Sequence, residues 1–433
     1  MAKISELIVQ TILEKENLLV IRLFHAQYRR GIISYYTKTH RKPRLMSKNL
    51  QGSSHRLKAV GFRLLQLEGF IFMKPSKLDK ITVRGFKSIR ELVDFELRNI
   101  NVIVGANGAG KSNFLEIFEI LSAMMKPEGL SEYVAGAADA YFFGGPKLTR
   151  KIEIQLRLGK NGYDFNFIPG ENGDLFITKE QRHFNNGYSN FTRNFPAPSY
   201  DAQLPNELSS KATEYTYNSI KNWKIYHFHD TSKFALMRRE CDINHGEVLA
   251  ADAGNIAAFL YRLKSEFPVE YSQIVNAVQL VVPFFYDFIL KPNFNEMIRL
   301  NWQQVGLNDY PMRPSQLSDG SMRFICLATA LLQPQPPATI IIDEPELGLH
   351  PEAIGILAEL IKLASAHTQV ILATQSPLLL DQFSIKDIIV AKRKNGASTF
   401  ARLNERDYTA WLEDYSVGEL WIKNVIQGGS ANE

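Results

Sequence analysis

The chain has little cysteine: Cys241 and Cys326 are the only two in 433 residues. They are far apart and lack metal-ligand spacing, which excludes a disulfide framework and a cysteine-based zinc site and fits a reducing cytoplasm. No apolar run reaches transmembrane length, and Glu6, Glu14 and Glu16 interrupt the opening stretch, so neither a span nor a signal peptide is expected. Sustained a/d heptads are missing, which argues against a long coiled-coil arm. A strong charge is missing too. Of 50 Lys/Arg and 45 Asp/Glu, 13 and 4 fall in residues 1–72, leaving 37 and 41 in the remainder. The main body is therefore slightly acidic, and bulk charge gives no argument for nucleic-acid binding.

What the chain does have is a glycine loop. Gly105-Ala106-Asn107-Gly108-Ala109-Gly110-Lys111-Ser112 follows the phosphate-binding pattern G-x-x-x-x-G-K-S. The apolar run 100–104 before it reads as a buried strand. Phe114, Leu115, Ile117, Phe118, Ile120 and Leu121 after it form a helix stripe. Strand, loop and helix start surround an anion with backbone N–H groups and a positive dipole end. Lys111 is placed to reach the β and γ phosphates, and the Ser112 hydroxyl to bind Mg²⁺. Far downstream, the β-branched stretch 337–342 ends in Asp343-Glu344-Pro345. Acids at the carboxyl end of a buried parallel strand sit where such sheets bind ligands. Asp343 suits Mg²⁺, and Glu344 suits a general base acting on water. A third motif, Leu317-Ser318-Asp319-Gly320-Ser321-Met322-Arg323, precedes a helix over 324–332. Ser318 is placed as its N-cap, and Gly320 permits close backbone approach.

Together these motifs resemble the RecF/SMC-like branch of ABC-type ATPases. The third is similar to the signature usually written L-S-G-G-Q, with Asp319 replacing the first glycine and Ser321 the glutamine. Asn107 and Asn113, in G-x-N-G-x-G-K-S-N, are characteristic of that branch, as is the V-R-G-F-K-S-I run at 83–89. The stretch 346–351 resembles the D-loop region of overcoming-lysogenization-defect ATPases. The similarity covers Met73 to about residue 125 and about 310 to the C-terminus, under half of the chain. It implies an α/β fold, a P-loop NTPase of ABC/RecF-like type: a mixed-sheet head with an antiparallel β meander and an inserted helical lid. It implies an ATPase using ATP and Mg²⁺, with Lys111, Glu344 and Gln375 in catalytic roles. Gly105, Ala106, Asn107, Gly108, Ala109, Gly110, Lys111, Ser112 and Asn113 would bind nucleotide, with Ser318, Asp319 and Gly320; Ser112 and Asp343 would hold the metal. The signature of one subunit would complete the site of another, giving a head-to-tail homodimer, or a higher homo-oligomer, around sandwiched ATP. Relatives usually carry a switch histidine where Gln375 stands, after the strand 370–374. The amide can bond the γ-phosphate or orient water, but it cannot take a proton.

More narrowly, 226–232, 343–351 and 411–421 resemble stand-alone bacterial AAA/RecF-like ATPases of anti-phage defence operons. Such ATPases often act with a nuclease from a neighbouring gene. The expected partners are therefore a separate nuclease or effector subunit and DNA, with no membrane, in the cytoplasm. A RecF-like role in DNA repair and an ATP-gated scaffold with slow hydrolysis are the alternatives. A transporter motor is disfavoured, because no membrane span and no placed Q-loop glutamine accompany Asp319.

Four segments are expected. Residues 1–72 form a basic extension, with an amphipathic stretch followed by a basic tract. Three readings compete: a segment not translated because the protein starts at Met73, an arm contacting nucleic acid, or a poorly ordered extension. The first is preferred. Residues 73–182 carry the glycine loop and the meander, since 151–158 alternates cleanly and 163–167 and 175–178 continue it. Residues 183–309 read as a loop, 185–200, and a helical lid, with helices near 206–222, 254–266 and 269–283 and strands near 285–303. Residues 310–433 complete the head. His227 and His229 flank Phe228 on an apparent strand, preferred as a packed strand end over a metal site.

Overall fold

The computed structural model describes residues 77–426, apart from 128 and 171. The extension 1–72 and the expected start at Met73 lie outside the described residues. β1 (Lys80–Phe86) and β2 (Ile89–Glu96) form a hairpin, and β3 (Ile100–Val104) leads through the glycine loop into α1 (Lys111–Met124). There follow α2 (Gly129–Val134), β4 (Ile152–Leu158), β5 (Asn161–Pro169), β6 (Leu175–Asn185) and β7 (Asn190–Asn194). Next come α3 (Lys211–Lys221), β8 (Trp223–Tyr226), β9 (Cys241–Asp242), α4 (Ile256–Glu266), α5 (Pro268–Val281), β10 (Phe285–Ile289), β11 (Met297–Ile298), β12 (Asn301–Gln304) and β13 (Leu307–Met312). The last part holds α6 (Asp319–Leu332), β14 (Thr339–Asp343), α7 (Pro351–Ala364), β15 (Gln369–Thr374), α8 (Pro377–Leu380), β16 (Ile388–Lys394), β17 (Ala397–Arg402), α9 (Thr409–Leu412) and α10 (Val417–Ile422).

One six-stranded sheet runs β17-β16-β3-β15-β14-β8, parallel except for β17. Its central strands β14 and β15 are near-continuous buried runs because both faces are covered. Val102, Val104, Ile340, Ile342 and Leu372 face one core, whereas Ile103, Ile341, Ile371 and Ile389 face the other. The second six-stranded sheet, β2-β1-β4-β5-β6-β7, is antiparallel and contains the expected meander. On β4, Ile152, Ile154, Leu156 and Leu158 turn inward and the residues between them do not, as strand periodicity dictates. Helix α1 contributes Phe114 and Phe118, both fully buried, to the core that the two sheets share. The Phe118 ring lies 5.2 Å from that of Trp223 on β8. Burying each such ring stabilises by roughly 1.5–3 kcal/mol, so α1 and the loop at its start are firmly seated.

Register then builds the site. Asp343 pairs with Ala373, Ala373 with Ile103, Thr374 with Val104, and Ile342 with Tyr226. Four parallel strands end side by side, and the residues after them emerge along one edge: the glycine loop, Glu344, Gln375 and His227.

Some elements differ from expectation. Residues 190–194, inside the stretch read as an exposed loop, form β7 against β6. None of them is buried, so no apolar alternation marked the strand. Strand β8 stops at Tyr226, which leaves His227 and His229 beyond it. The segment 183–309, read as loop and lid, also builds the head itself. It supplies β8 to the parallel sheet, and Phe259, Leu260 and Ile274 of α4 and α5 enter the core with Phe324 of α6. That helix starts at Asp319 rather than 324, because the Ser318 cap sits at its true beginning. Among the described residues, no helix is long and apolar enough to cross a membrane.

Candidate functional site

Gly110 precedes α1 at φ 101°, in the left-handed region, with no side-chain cap and no acid in the first helical turn. The first N–H groups of the helix are thus left for a ligand, and its positive end is not neutralised. Only glycine fits here: a β-carbon would lie 2.1 Å from Ser398 Oγ. Lys111 is buried, and its Nζ donates to the carbonyls of Gly105 at 2.7 Å and Ala106 at 3.3 Å. Burial pulls this ammonium below the usual lysine value, while Asp343, Glu344 and Glu346 pull it back up.

Ser112 Oγ donates to Asp343 Oδ2 at 3.4 Å, across 231 residues of chain. Burial raises the Asp343 carboxyl above its usual value, and neighbouring Glu344 adds to the shift. Two hard oxygen donors at a half-buried carboxylate fit a divalent cation, which would relieve that desolvation. Glu344 follows at φ 44°. That conformation costs a non-glycine residue about 1–3 kcal/mol, and such strain concentrates at functional sites. Gln375 Nε2 donates both to Glu344 Oε1 at 2.9 Å and to Asn107 Oδ1 at 2.8 Å. The residue at the switch position therefore ties the acid to the loop. Just behind, the Thr374 hydroxyl donates to Glu346, whose carboxyl burial pushes upward.

In the third motif, Ser318 Oγ accepts from Ser321 N at 3.1 Å, as its capping role requires. Asp319 has a partner that explains its departure from glycine: Arg238 Nη2, at 2.8 Å. The Arg238 side chain is only 5% exposed and also donates to the carbonyls of Thr231, Pro314 and Leu317. Gly320 lies against the turn 346–351, where a β-carbon would come within 2.3 Å of the Gly348 carbonyl oxygen. Arg323 donates to the carbonyls of Phe228 at 2.8 Å and His229 at 2.9 Å, and to that of Leu347. The start of α6, the end of β8 and the turn after Glu344 thus form one hydrogen-bonded unit. Ser318, Asp319 and Gly320 meet these partners and not the glycine loop of their own chain. Asn113, expected to bind nucleotide, gives its amide to Ser88 Oγ at 2.7 Å. Ser88 in turn meets Ser398 Oγ at 2.7 Å, so this residue braces the loop against β17.

Arg238→Ala is expected to destabilise by about 2–3 kcal/mol, since it leaves buried carbonyls unsatisfied. Asp319→Ala should cost less than about 1 kcal/mol, because that carboxylate is largely exposed. Urea midpoints check the order; equal losses would contradict the account.

One polar pair near the acids had no signal in the sequence. His227 Nε2 lies 3.1 Å from Glu119 Oε1 on α1, and Tyr133 Oη donates to Glu119 at 2.8 Å. Each partner stabilises the other's charge: the hydrogen bond lowers the Glu119 carboxyl and raises the His227 imidazole. The rings of His227 and His229 are 6.5 Å apart. Among the described residues, no group of three or more His, Cys, Asp or Glu is arranged to hold a metal. The Mg²⁺ reading needs only Ser112, Asp343 and phosphate oxygens. The stretch 141–147 lies against the β1–β2 turn, with Lys87 N donating to the Tyr141 carbonyl at 2.7 Å.

Residues 100–381 match the family described as "AAA domain, putative AbiEii toxin, Type IV TA system". No curated protein matches the sequence. A solved SmcHead bound to the C-winged helix domain of ScpA aligns over 76% of this chain and 99% of its own, at 18% identity and a TM-score of 0.51. The SMC head domain from Thermotoga maritima aligns over 76% and 99%, at 16% identity and a TM-score of 0.39. The Smc head domain with an extended coiled coil, bound to the C-terminal domain of ScpA derived from Pyrococcus furiosus, aligns over 78% and 98%, at 17% identity and a TM-score of 0.47. The first of these supports a shared SMC-head, ABC-type fold.

Proposed function

The chain belongs to the family described as "AAA domain, putative AbiEii toxin, Type IV TA system", and from that premise we propose that it is an Mg²⁺-dependent ATPase of the RecF/SMC-like kind. One observation carries the reading: the glycine loop and the acidic strand end meet, with Ser112 Oγ at 3.4 Å from Asp343. The triphosphate lies on the N–H groups that begin α1, and Lys111 leaves the carbonyls of Gly105 and Ala106 for the phosphates. Ser112 and Asp343 would hold Mg²⁺, whose charge offsets that of the phosphates. Glu344 accepts the proton of the attacking water, and Gln375 holds both that carboxylate and Asn107 in place. Most of the catalysis is positioning and charge stabilisation.

The third motif supports a composite site. Ser318, Asp319 and Gly320 meet other partners in their own chain, which suits a signature offered to a second copy. Phosphate release by the full chain with Mg-ATP tests the ATPase; no turnover above a Lys111→Ala control would sink it. Ser318→Arg tests the sharing: activity should fall, and mixing with Lys111→Ala subunits should restore at most one working site per dimer. Full activity from Ser318→Arg alone would refute a head-to-tail dimer.

A second reading, an ATP-gated scaffold with slow hydrolysis, is favoured by one contact. Gln375 Nε2 engages Glu344 Oε1, so one of the two carboxylate oxygens is already committed before water binds. Single-turnover hydrolysis with and without DNA separates the two. The finer role, action on or with nucleic acid beside a separate nuclease in anti-phage defence, rests on resemblance, and RecF-like repair shares its chemistry. The identity of adjacent genes distinguishes them.

A further inference from the structure

The proposed nucleotide site has a basic neighbour that its loop and acids do not account for. Strands β16 and β17 form a hairpin closed by Asn395 and Gly396 at φ 51° and 74°, the tight turn that suits a two-residue connection. Its register pairs Lys394 with Ala397, Arg393 with Ser398 and Ala391 with Phe400. This hairpin runs along the whole glycine loop. A β-carbon at Gly105 would lie 2.5 Å from the Ala391 carbonyl oxygen, and one at Gly110 would lie 2.1 Å from Ser398 Oγ. Between those two contacts, Arg393 Nη1 donates to the Gly108 carbonyl at 3.5 Å. Arg393 is on the same strand face as its cross-strand partner Ser398, whose hydroxyl meets Gly110. Lys392 and Lys394 flank it in sequence and, by strand alternation, turn to the opposite face of the hairpin, so Arg393 alone of the three is directed at the loop.

The Gly108 contact is long for a hydrogen bond and costs little to break. Arg393 is exposed, and among the described residues it pairs with no carboxylate. Its planar fork matches phosphate oxygens, and its charge favours an anion beside the loop. We propose that Arg393 is a phosphate-binding residue of the nucleotide site, closing from the β16–β17 hairpin onto the terminal phosphate of a nucleoside triphosphate seated in 105–112. Supplied by the same chain, it grips the side of the loop away from Gln375. The inference rests on the nucleotide reading above.

The test is titration of fluorescently labelled ATP and ADP with the full chain, its Arg393→Gln and Arg393→Lys variants, and Lys111→Ala. Removing one charge-assisted hydrogen bond to the terminal phosphate should weaken ATP binding by roughly tenfold in Arg393→Gln and ADP binding much less, with Arg393→Lys recovering part of the affinity. The melting temperature of the nucleotide-free variants should match that of the native chain. Native ATP affinity in Arg393→Gln overturns the proposal. So does an equal weakening for ATP and ADP, which would make Arg393 a prop for the Gly108 turn. If the native chain binds neither nucleotide, the nucleotide reading falls and the inference with it.

Discussion

Lys111→Ala should abolish nucleotide binding, weakening ATP affinity by at least about a hundredfold. Hydrogen bonds to a charged group contribute about 1.5–3 kcal/mol each, and every 1.4 kcal/mol is a factor of ten. In the chain as it stands, Lys111 Nζ rests on the Gly105 and Ala106 carbonyls, and burial already works against its charge. A triphosphate supplies stronger acceptors, so binding trades weak partners for strong ones. Alanine removes that trade and takes away the lysine charge that offsets the phosphates beside Asp343 and Glu344. Isothermal titration with Mg-ATP measures the effect. Because Lys111 is buried, the melting temperature of the variant should be followed as well. A folded variant binding ATP near native strength would contradict the assignment.

Glu344→Gln is expected to slow hydrolysis by about 10²–10⁴-fold, the usual range for losing a positioned general base, while ATP affinity stays within about threefold. The substitution is conservative in geometry. Its amide oxygen can still accept from Gln375 Nε2, the bond that now holds Glu344 Oε1 at 2.9 Å. The left-handed backbone at 344 is equally strained with either side chain. Only the proton acceptor is removed, so ATP should accumulate bound and the closed dimer with it. Single-turnover phosphate release, with particle size measured in ATP, reads both. Hydrolysis at the native rate would remove Glu344 from the chemistry.

Much of this site was legible because its chemistry is written in contiguous runs. Residues 100–112 and 339–344 each carry strand, turn and functional group in one short stretch, and Ser112 lies 3.4 Å from Asp343. The helix cap at Ser318 was equally local. The braces were not legible. Arg238, Arg323 and the His227–Glu119 pair meet partners on other elements, and no local pattern distinguishes them from surface charges. A strand was expected at 227–229, but the bounds and place of β8 were not legible, for a related reason. Its four residues, Trp223-Lys224-Ile225-Tyr226, are too few to show a period. Its place at the edge of the parallel sheet follows only from register with β14. Asn113 carried a motif position whose side chain the structure commits to Ser88.

The backbone contact between Gly320 and Gly348 sets a rule for how this chain can vary. With 2.3 Å available to a β-carbon there, and Arg323 bonded to Leu347 one residue before, the turn from Glu344 to Pro351 has no slack. Leu347, half exposed, can be exchanged for other side chains. An inserted or deleted residue in that turn cannot be absorbed locally and would dislodge the start of α6, so the length of the segment is fixed more tightly than its composition.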